Sequence, residues 1–190
     1  MKKQLTILLT VLALVLALAG CGKMENKVDK VENEMDKMES EMAQTEEMTA
    51  DQRTQLYQSA IENARSQEVN DAFSIITSVD DDLGQATFDL LGLKKEDVEA
   101  CALSASLMNV KAYGIAAVYP VAGREEAVRN GLNDFIANQK GSFHQYLQDQ
   151  YDIASKAKLG TLKDGTILLV MCENQDQVYE SIKNKIEAGT

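Results

Sequence analysis

The amino-acid sequence predicts an α+β domain: a mostly antiparallel sheet of about five strands, packed by helices and preceded by a helical stalk. Three observations lead to this prediction. Helical and strand-like patterns follow one another in the order α-β-α-β-β-α-β-β-α along residues 51–190. Two pairs of strand-like runs are joined by short connections, which favours antiparallel neighbours. Residues 21–50 differ in composition, lack aromatic residues and proline, and carry a heptad pattern.

The first twenty residues have the parts of a secretory signal peptide. Lys2-Lys3 come first, an apolar run follows at residues 5–19, and small residues precede Cys21. The motif Leu18-Ala19-Gly20-Cys21 resembles the lipobox of bacterial lipoproteins. That resemblance implies cleavage between Gly20 and Cys21 and a covalent diacylglycerol on Cys21, which anchors the chain at the extracytoplasmic face of the cell membrane. An ordinary signal peptide or an N-terminal membrane helix is the alternative.

The stalk, residues 21–50, has apolar residues spaced alternately four and three apart. They are Met24, Val28, Val31, Met35, Met38 and Met42. This heptad pattern predicts a helical spacer that self-associates weakly or lies over its own domain. Methionine thioethers also suit Cu(I), but the stretch around them has no His or Cys. The heptad explains the same residues, so we predict no metal site.

The globular domain, residues 51–190, begins with a helix at 51–66 that the capping box Thr49-Ala50-Asp51-Gln52 starts. A strand is predicted at 72–79 and a second helix at 83–91. Asp80-Asp81-Asp82 precede that helix. They suit an N-cap and the negative charge favoured in a first turn better than a calcium loop, whose spaced ligand pattern they lack. Gly92 is expected to end the helix.

The second half of the domain contains two strand pairs and two helices. Strands at 98–106 and 112–121 are joined by the loop 107–111, and strands at 158–163 and 166–172 flank Asp164-Gly165. Between the pairs lies a long helical pattern at 123–157. Its two glycines, Gly131 and Gly141, each cost about 1 kcal/mol relative to alanine, and we expect a bend near Gly141 or Leu147. A second capping box, Asn174-Gln175-Asp176-Gln177, begins the last helix.

Charge and cysteine content restrict the partners. The chain has a net charge of −11, and removal of the signal peptide, with its two lysines, makes it more acidic. Such a protein has no electrostatic attraction to nucleic acid or to an anionic membrane surface. Cys101 and Cys172 lie in apolar strand-like runs, which favours two buried free thiols. A disulfide between them is the alternative, because the extracytoplasmic compartment is oxidising.

Three segments together resemble one protein family. They are Met-Asn-Val-Lys-Ala at 108–112, Gln-Tyr-Leu-Gln-Asp-Gln-Tyr at 145–151 and Thr-Ile-Leu-Leu-Val-Met-Cys-Glu at 166–173. These segments are similar to the family called domain of unknown function 4358, whose members are small bacterial lipoproteins. The resemblance covers roughly residues 68–187. It implies the fold and the location, and it brings no activity, cofactor or catalytic residue.

Residues that carry chemistry are sparse. His144 is the only histidine, and the chain has no nucleophile elbow, phosphate-binding glycine loop or Cys-x-x-Cys pair. We expect His144 to be a partly exposed surface residue. The candidate binding residues are Asn109 and Lys111 in a loop, and Tyr146 and Tyr151 in an aromatic stretch.

These observations predict a non-enzymatic binding module, tethered to the membrane, that contacts a protein or another envelope component. The absence of a recognisable catalytic set, the lipid anchor and the spacer favour this hypothesis. A small-molecule or ion-binding lipoprotein is the alternative. An envelope hydrolase is the third possibility, and two carboxylates close together in a pocket would favour it.

Overall fold

The computed structural model describes residues 48–190, so the predicted signal peptide and residues 21–47 of the predicted stalk lie outside the described residues. The described part contains six α-helices: α1 Ala50–Ala64, α2 Gln67–Ala72, α3 Asp82–Leu90, α4 Glu125–Phe143, α5 Gln148–Ser155 and α6 Gln175–Gly189. It contains four strands: β1 Val98–Ala105, β2 Gly114–Pro120, β3 Lys158–Thr161 and β4 Ile167–Met171. A short 3₁₀ turn, Lys95–Asp97, leads into β1. The predicted α+β class is confirmed.

The four strands form one antiparallel sheet in the order β1-β2-β4-β3. The two predicted hairpins provide its outer pairs, β1 with β2 and β3 with β4. The two hairpins join through β2 and β4, where Ala116 lies opposite Leu169. At the turn of the second hairpin Gly165 has a φ of 93°, a conformation that a side chain would disfavour.

Helices cover both faces of the sheet. Residues of α1 and α6 pack on one face, against side chains such as Ile115 and Leu168. Residues of α3, α4 and α5 pack on the other face, against side chains such as Leu103 and Leu169. All five residues of β4 are therefore buried. An antiparallel sheet often has one face in water, and covering both explains why these strands read as unbroken apolar runs.

Two of the three helix N-caps expected from sequence form as predicted. Thr49 and Gln52 make a complete capping box at α1. Asp81 accepts a 2.6 Å hydrogen bond from the Gly84 amide at α3. The capping box expected at α6 is wrong, although the helix begins there. Asn174 has a left-handed conformation (φ 55°), and its side chain makes no capping hydrogen bond.

The strand predicted at 72–79 is wrong, and the sheet has four strands instead of about five. Residues 67–72 form α2, capped by Ser66, and the chain then makes a single antiparallel bridge between Ile76 and Leu103. The bridge has hydrogen bonds of 2.7 and 2.8 Å. The Ser66 side chain accepts from the Val69 amide and starts α2, and of the segment that follows only Ile76 pairs with β1.

The long helical pattern at 123–157 divides into α4 and α5, with a break at residues 144–147. The break lies in the region where a bend was expected, near Gly141 and Leu147. None of the described helices is long and apolar enough to cross a bilayer.

Candidate binding surface

One end of the sheet gathers several of the residues singled out from sequence. Ala105, the last residue of β1, lies opposite Gly114, the first of β2. Gly114 in turn lies opposite Met171, the last residue of β4. The β1–β2 loop and the turn between β4 and α6 therefore leave the sheet at the same edge. Residues 106–113 and 172–175 therefore lie at this edge.

Hydrogen bonds fix the β1–β2 loop in place. The Ser106 amide donates to the Tyr113 carbonyl at 3.0 Å, and the Ser106 hydroxyl donates to the Met108 carbonyl at 3.0 Å. The Ala112 amide donates to Oε1 of Gln150, in the first turn of α5, at 2.8 Å. The loop is thus attached to the sheet at its base and to a helix on one side.

This fixed loop presents apolar side chains to solvent. Leu107 is 49%, Met108 69% and Val110 61% exposed. The predicted candidates Asn109 and Lys111 are exposed beside them. Sequence reasoning selected these two polar residues and missed their apolar neighbours. The available signal was three apolar residues in a short connection, where polar turn residues are the norm.

A polar and aromatic cluster lies at the base of the loop. Arg65, just after α1, donates from Nη1 to the Tyr113 hydroxyl at 2.7 Å and to the Ser104 hydroxyl at 2.8 Å. Its Nε donates to Oδ1 of Asn70 at 2.8 Å. The Tyr113 ring stacks on Phe73 with centroids 4.1 Å apart. Burial raises the pKa of Tyr113, so its hydroxyl stays protonated. The cluster is therefore held by hydrogen bonds from the Arg65 guanidinium to a neutral phenol.

The two tyrosine candidates have different environments. Tyr146, in the segment between α4 and α5, is 85% exposed. Tyr151 is half-buried against the core, and its ring makes an edge contact with His144 at 5.2 Å between centroids. Tyr146 is accessible to a partner, whereas Tyr151 contributes mainly to packing. His144 is exposed.

The two cysteines of the domain are both free and buried. Cys101 is on β1, Cys172 directly follows β4, and β2 lies between these strands. Two strand spacings amount to about 9.6 Å, which is beyond the reach of a disulfide. The alternative of a Cys101–Cys172 bridge is therefore wrong. Burial raises the pKa of Cys101 to about 12, and burial with the nearby Glu173 carboxylate raises that of Cys172 to about 11.

A cavity of about 390 Å³ opens beside Cys172. Its walls come from α5 and from the turn that leads into α6: Asp152, Ile153, Lys156, Cys172, Glu173, Asn174, Gln175 and Asp176. The sequence offered no sign of this cavity, because the residues of the turn read as a helix cap.

Among residues 48–190, no group of three or more His, Cys, Asp or Glu side chains is placed to hold a metal ion. In the predicted helix-capping stretch, Asp81 is the N-cap and Asp80 accepts hydrogen bonds from Ser78 and from Lys95, the latter at 3.0 Å. These bonds, the one from Ser78 foremost, lower the pKa of Asp80.

Comparison with known proteins gives one finding. No curated protein and no solved structure matches this sequence. The model of one protein family, described as "Domain of unknown function (DUF4358)", matches residues 77–172. The matched part includes the whole sheet, α3 to α5 and the β1–β2 loop, and it leaves out α1 and α6. The chain belongs to the family of domain of unknown function 4358.

Proposed function

We propose that this protein is an extracytoplasmic lipoprotein that acts as a non-enzymatic binding module, held at the cell membrane by acylated Cys21. The lipobox-like motif Leu18-Ala19-Gly20-Cys21, after a basic start and an apolar run, supports the anchor. Two acyl chains on one cysteine suffice for stable anchoring. The stalk, residues 21–50, then serves as a spacer, which self-associates weakly through its heptad positions.

The observation that carries the binding role is the exposure of Leu107, Met108 and Val110 on a loop fixed by hydrogen bonds. Exposed apolar residues that cluster mark interaction sites more often than scattered ones do. Covering the exposed part of each side chain contributes about 1 kcal/mol, hence about 3 kcal/mol for the three. Because the loop is already ordered, binding loses little conformational entropy there.

The loop itself carries one charge, on Lys111, within an acidic chain. The Lys111 ammonium lies 5.4 Å from the centroid of the Phe73 ring, which restricts its position. We propose a protein partner, or another envelope component, that offers an apolar surface with an acceptor or acidic group for Lys111. Asn109 supplies a hydrogen-bonding amide to the same surface, and the exposed Tyr146 supplies a second contact just before α5.

The binding role is tested by site-specific photo-crosslinking in the bacterium that makes this protein. A photoreactive residue at position 109 should give one discrete crosslinked product, and the same residue at Gln55, exposed on α1, should not. Combining Met108→Ser with Val110→Ser should abolish the product at 109. Leu83→Ser is the matched control, because Leu83 is a 45% exposed apolar residue on α3. A product that persists in the Met108→Ser, Val110→Ser variant would refute the proposed surface.

The anchor is tested separately. Cys21→Ser should remove metabolic labelling by fatty acid and move the protein from the membrane fraction to the soluble or secreted fraction. Labelling that persists in Cys21→Ser would contradict the proposed lipidation site, without affecting the proposal for the loop.

A further inference from the structure

The cavity beside Cys172 lies between two segments that are distant in sequence, and its size suits a small molecule. The second half of α5 forms one wall, and the turn from β4 into α6 forms the other. Its volume of about 390 Å³ lies within the usual range for small-molecule sites, about 300–1,000 Å³. It does not involve the apolar residues of the β1–β2 loop, so it is a different site from the proposed partner surface.

Gln175 is the distinctive residue of the cavity wall. It is only 7% exposed, and its Oε1 is buried without a hydrogen-bond partner. A buried acceptor without a partner is unfavourable and uncommon in folded proteins. The left-handed Asn174 turns the chain from β4 into α6 immediately before Gln175. A ligand with an N–H donor could satisfy Gln175 Oε1 if the Gln175 carboxamide turns into the cavity. The buried acceptor would then have a hydrogen bond, which removes its desolvation penalty.

The charges of the wall indicate the sign of such a ligand. Asp176 is already paired with Lys158, at 2.6 Å. Two carboxylates, Asp152 and Glu173, then face one ammonium, Lys156. These two carboxylates make the wall rich in hydrogen-bond acceptors and negative on balance, and Gln175 adds a further acceptor once its carboxamide turns into the cavity. These groups are not arranged to hold a metal ion in the described part of the chain, which favours an organic cation that bears its own N–H donors.

We propose that this cavity binds a small organic cation through a primary ammonium group, which donates hydrogen bonds to Gln175 Oε1 and to the carboxylates of Asp152 and Glu173. The inference rests on the orphan acceptor and the charge balance, and it does not depend on the membrane anchor or on the loop surface.

The test uses three probes of equal chain length on the processed chain with Cys21→Ser, which prevents acylation. The probes are 1,4-diaminobutane, butane-1,4-diol and succinate, added in a calorimetric or NMR titration. We expect the diamine to bind with a dissociation constant of about 1 mM or tighter and to shift the NMR signals of residues 172–176. The diol and succinate should bind at least about tenfold more weakly. Equal binding of succinate, or no binding of the diamine, would overturn the proposal.

Variants separate this site from general attraction of cations to an acidic protein. Gln175→Leu should weaken diamine binding at least about tenfold, because it removes the buried acceptor. Gln177→Leu is the matched control, since Gln177 is exposed on the same helical turn and lies outside the cavity, and it should bind normally. Lys156→Gln should bind the diamine several-fold more tightly, since a like charge leaves the wall.

Gln175→Leu should also fold at least as well as the parent, because an unsatisfied polar group is replaced by an apolar one. Urea unfolding of each variant checks this point. Should Gln175→Leu prove unfolded, Glu173→Gln at the exposed rim of the cavity replaces it, and the same loss of affinity is expected. Affinity for the diamine that is unchanged in a folded Gln175→Leu protein, or unchanged in Glu173→Gln, would refute the assignment.

Discussion

Two glycines of α4, Gly131 and Gly141, should respond in opposite ways to replacement by alanine. By helix propensity alone, each substitution stabilises the helix by about 1 kcal/mol. The structure separates them. A methyl group at Gly131 would overlap the carbonyl oxygen of Gly92 and lie 2.8 Å from its carbonyl carbon, whereas a methyl group at Gly141 meets nothing within 4 Å.

The expected magnitudes follow from these contacts. Overpacking typically costs about 1–3 kcal/mol, and the upper end applies at Gly131 because the opposing atoms are backbone atoms of a turn. Gly92 has a φ of 67° and ends α3, so it has little freedom to move away. After the propensity gain, Gly131→Ala should lower the free energy of unfolding by about 2 kcal/mol. Gly141→Ala, exposed near the end of α4, should raise it by about 0.5 kcal/mol.

The assays are urea unfolding and thermal unfolding of the processed chain with Cys21→Ser, each monitored by far-UV circular dichroism. A change of 1 kcal/mol moves the melting temperature by about 3 °C in a domain of this size. Gly131→Ala should therefore melt about 6 °C lower and Gly141→Ala about 2 °C higher. If Gly131→Ala is as stable as the parent, the close approach of α4 to the α3–β1 turn does not exist in solution, and the reasoning fails.

Three further predictions concern buried groups. In the native protein at pH 8, Cys101 and Cys172 should react slowly with iodoacetamide, because burial raises the pKa of both thiols and keeps them protonated. In guanidinium chloride both should react at the rate of a free thiol. Fast reaction of both in the native protein would contradict their burial. Asp164→Asn should lower the free energy of unfolding by about 3 kcal/mol, because it leaves the buried Arg53 guanidinium without its counter-ion. In the parent protein the Arg53 guanidinium lies 3.2 Å from the Asp164 carboxylate. A loss below about 1 kcal/mol in urea unfolding would show that water reaches the pair. Above about pH 9 the free energy of unfolding should fall as pH rises. Cys101, Cys172 and Tyr57 have raised pKa values in the folded protein, so the unfolded chain loses these protons at lower pH. A free energy of unfolding that stays constant up to about pH 11 in urea unfolding would refute this prediction.

The buried ion pair of Arg53 and Asp164 connects a helix outside the family match to a turn inside it. Asp164 lies in the turn of the second hairpin, inside the matched residues, and Arg53 lies on α1, outside them. Thr166 accepts or donates a 2.6 Å hydrogen bond with the Tyr57 hydroxyl of the same helix. Because α1 covers one face of the sheet, the matched residues alone would leave that face exposed to water.

Much of the secondary structure was predictable because it depends on neighbours in sequence. Thr49 and Gln52 cap α1 through bonds that span three residues, and Asp164-Gly165, a pair favoured in hairpin turns, lie in the connection between β3 and β4. The division of the 123–157 pattern is local as well, because weak helix formers collect near residue 141. The membership of the family was likewise readable from three short segments.

The sequence by itself determined most of the helices and strands and the family to which they belong, and its motif at residues 18–21 carries the proposed location. Only the tertiary structure decided that residues 72–79 make one bridge to Leu103, that Gly131 meets Gly92, and that Met108 and Val110 remain exposed. It also brought Gln175 beside α5 to form the cavity wall. Each of these depends on contacts between residues far apart in the chain, and the energy of such a contact is set by which atoms the fold places opposite one another.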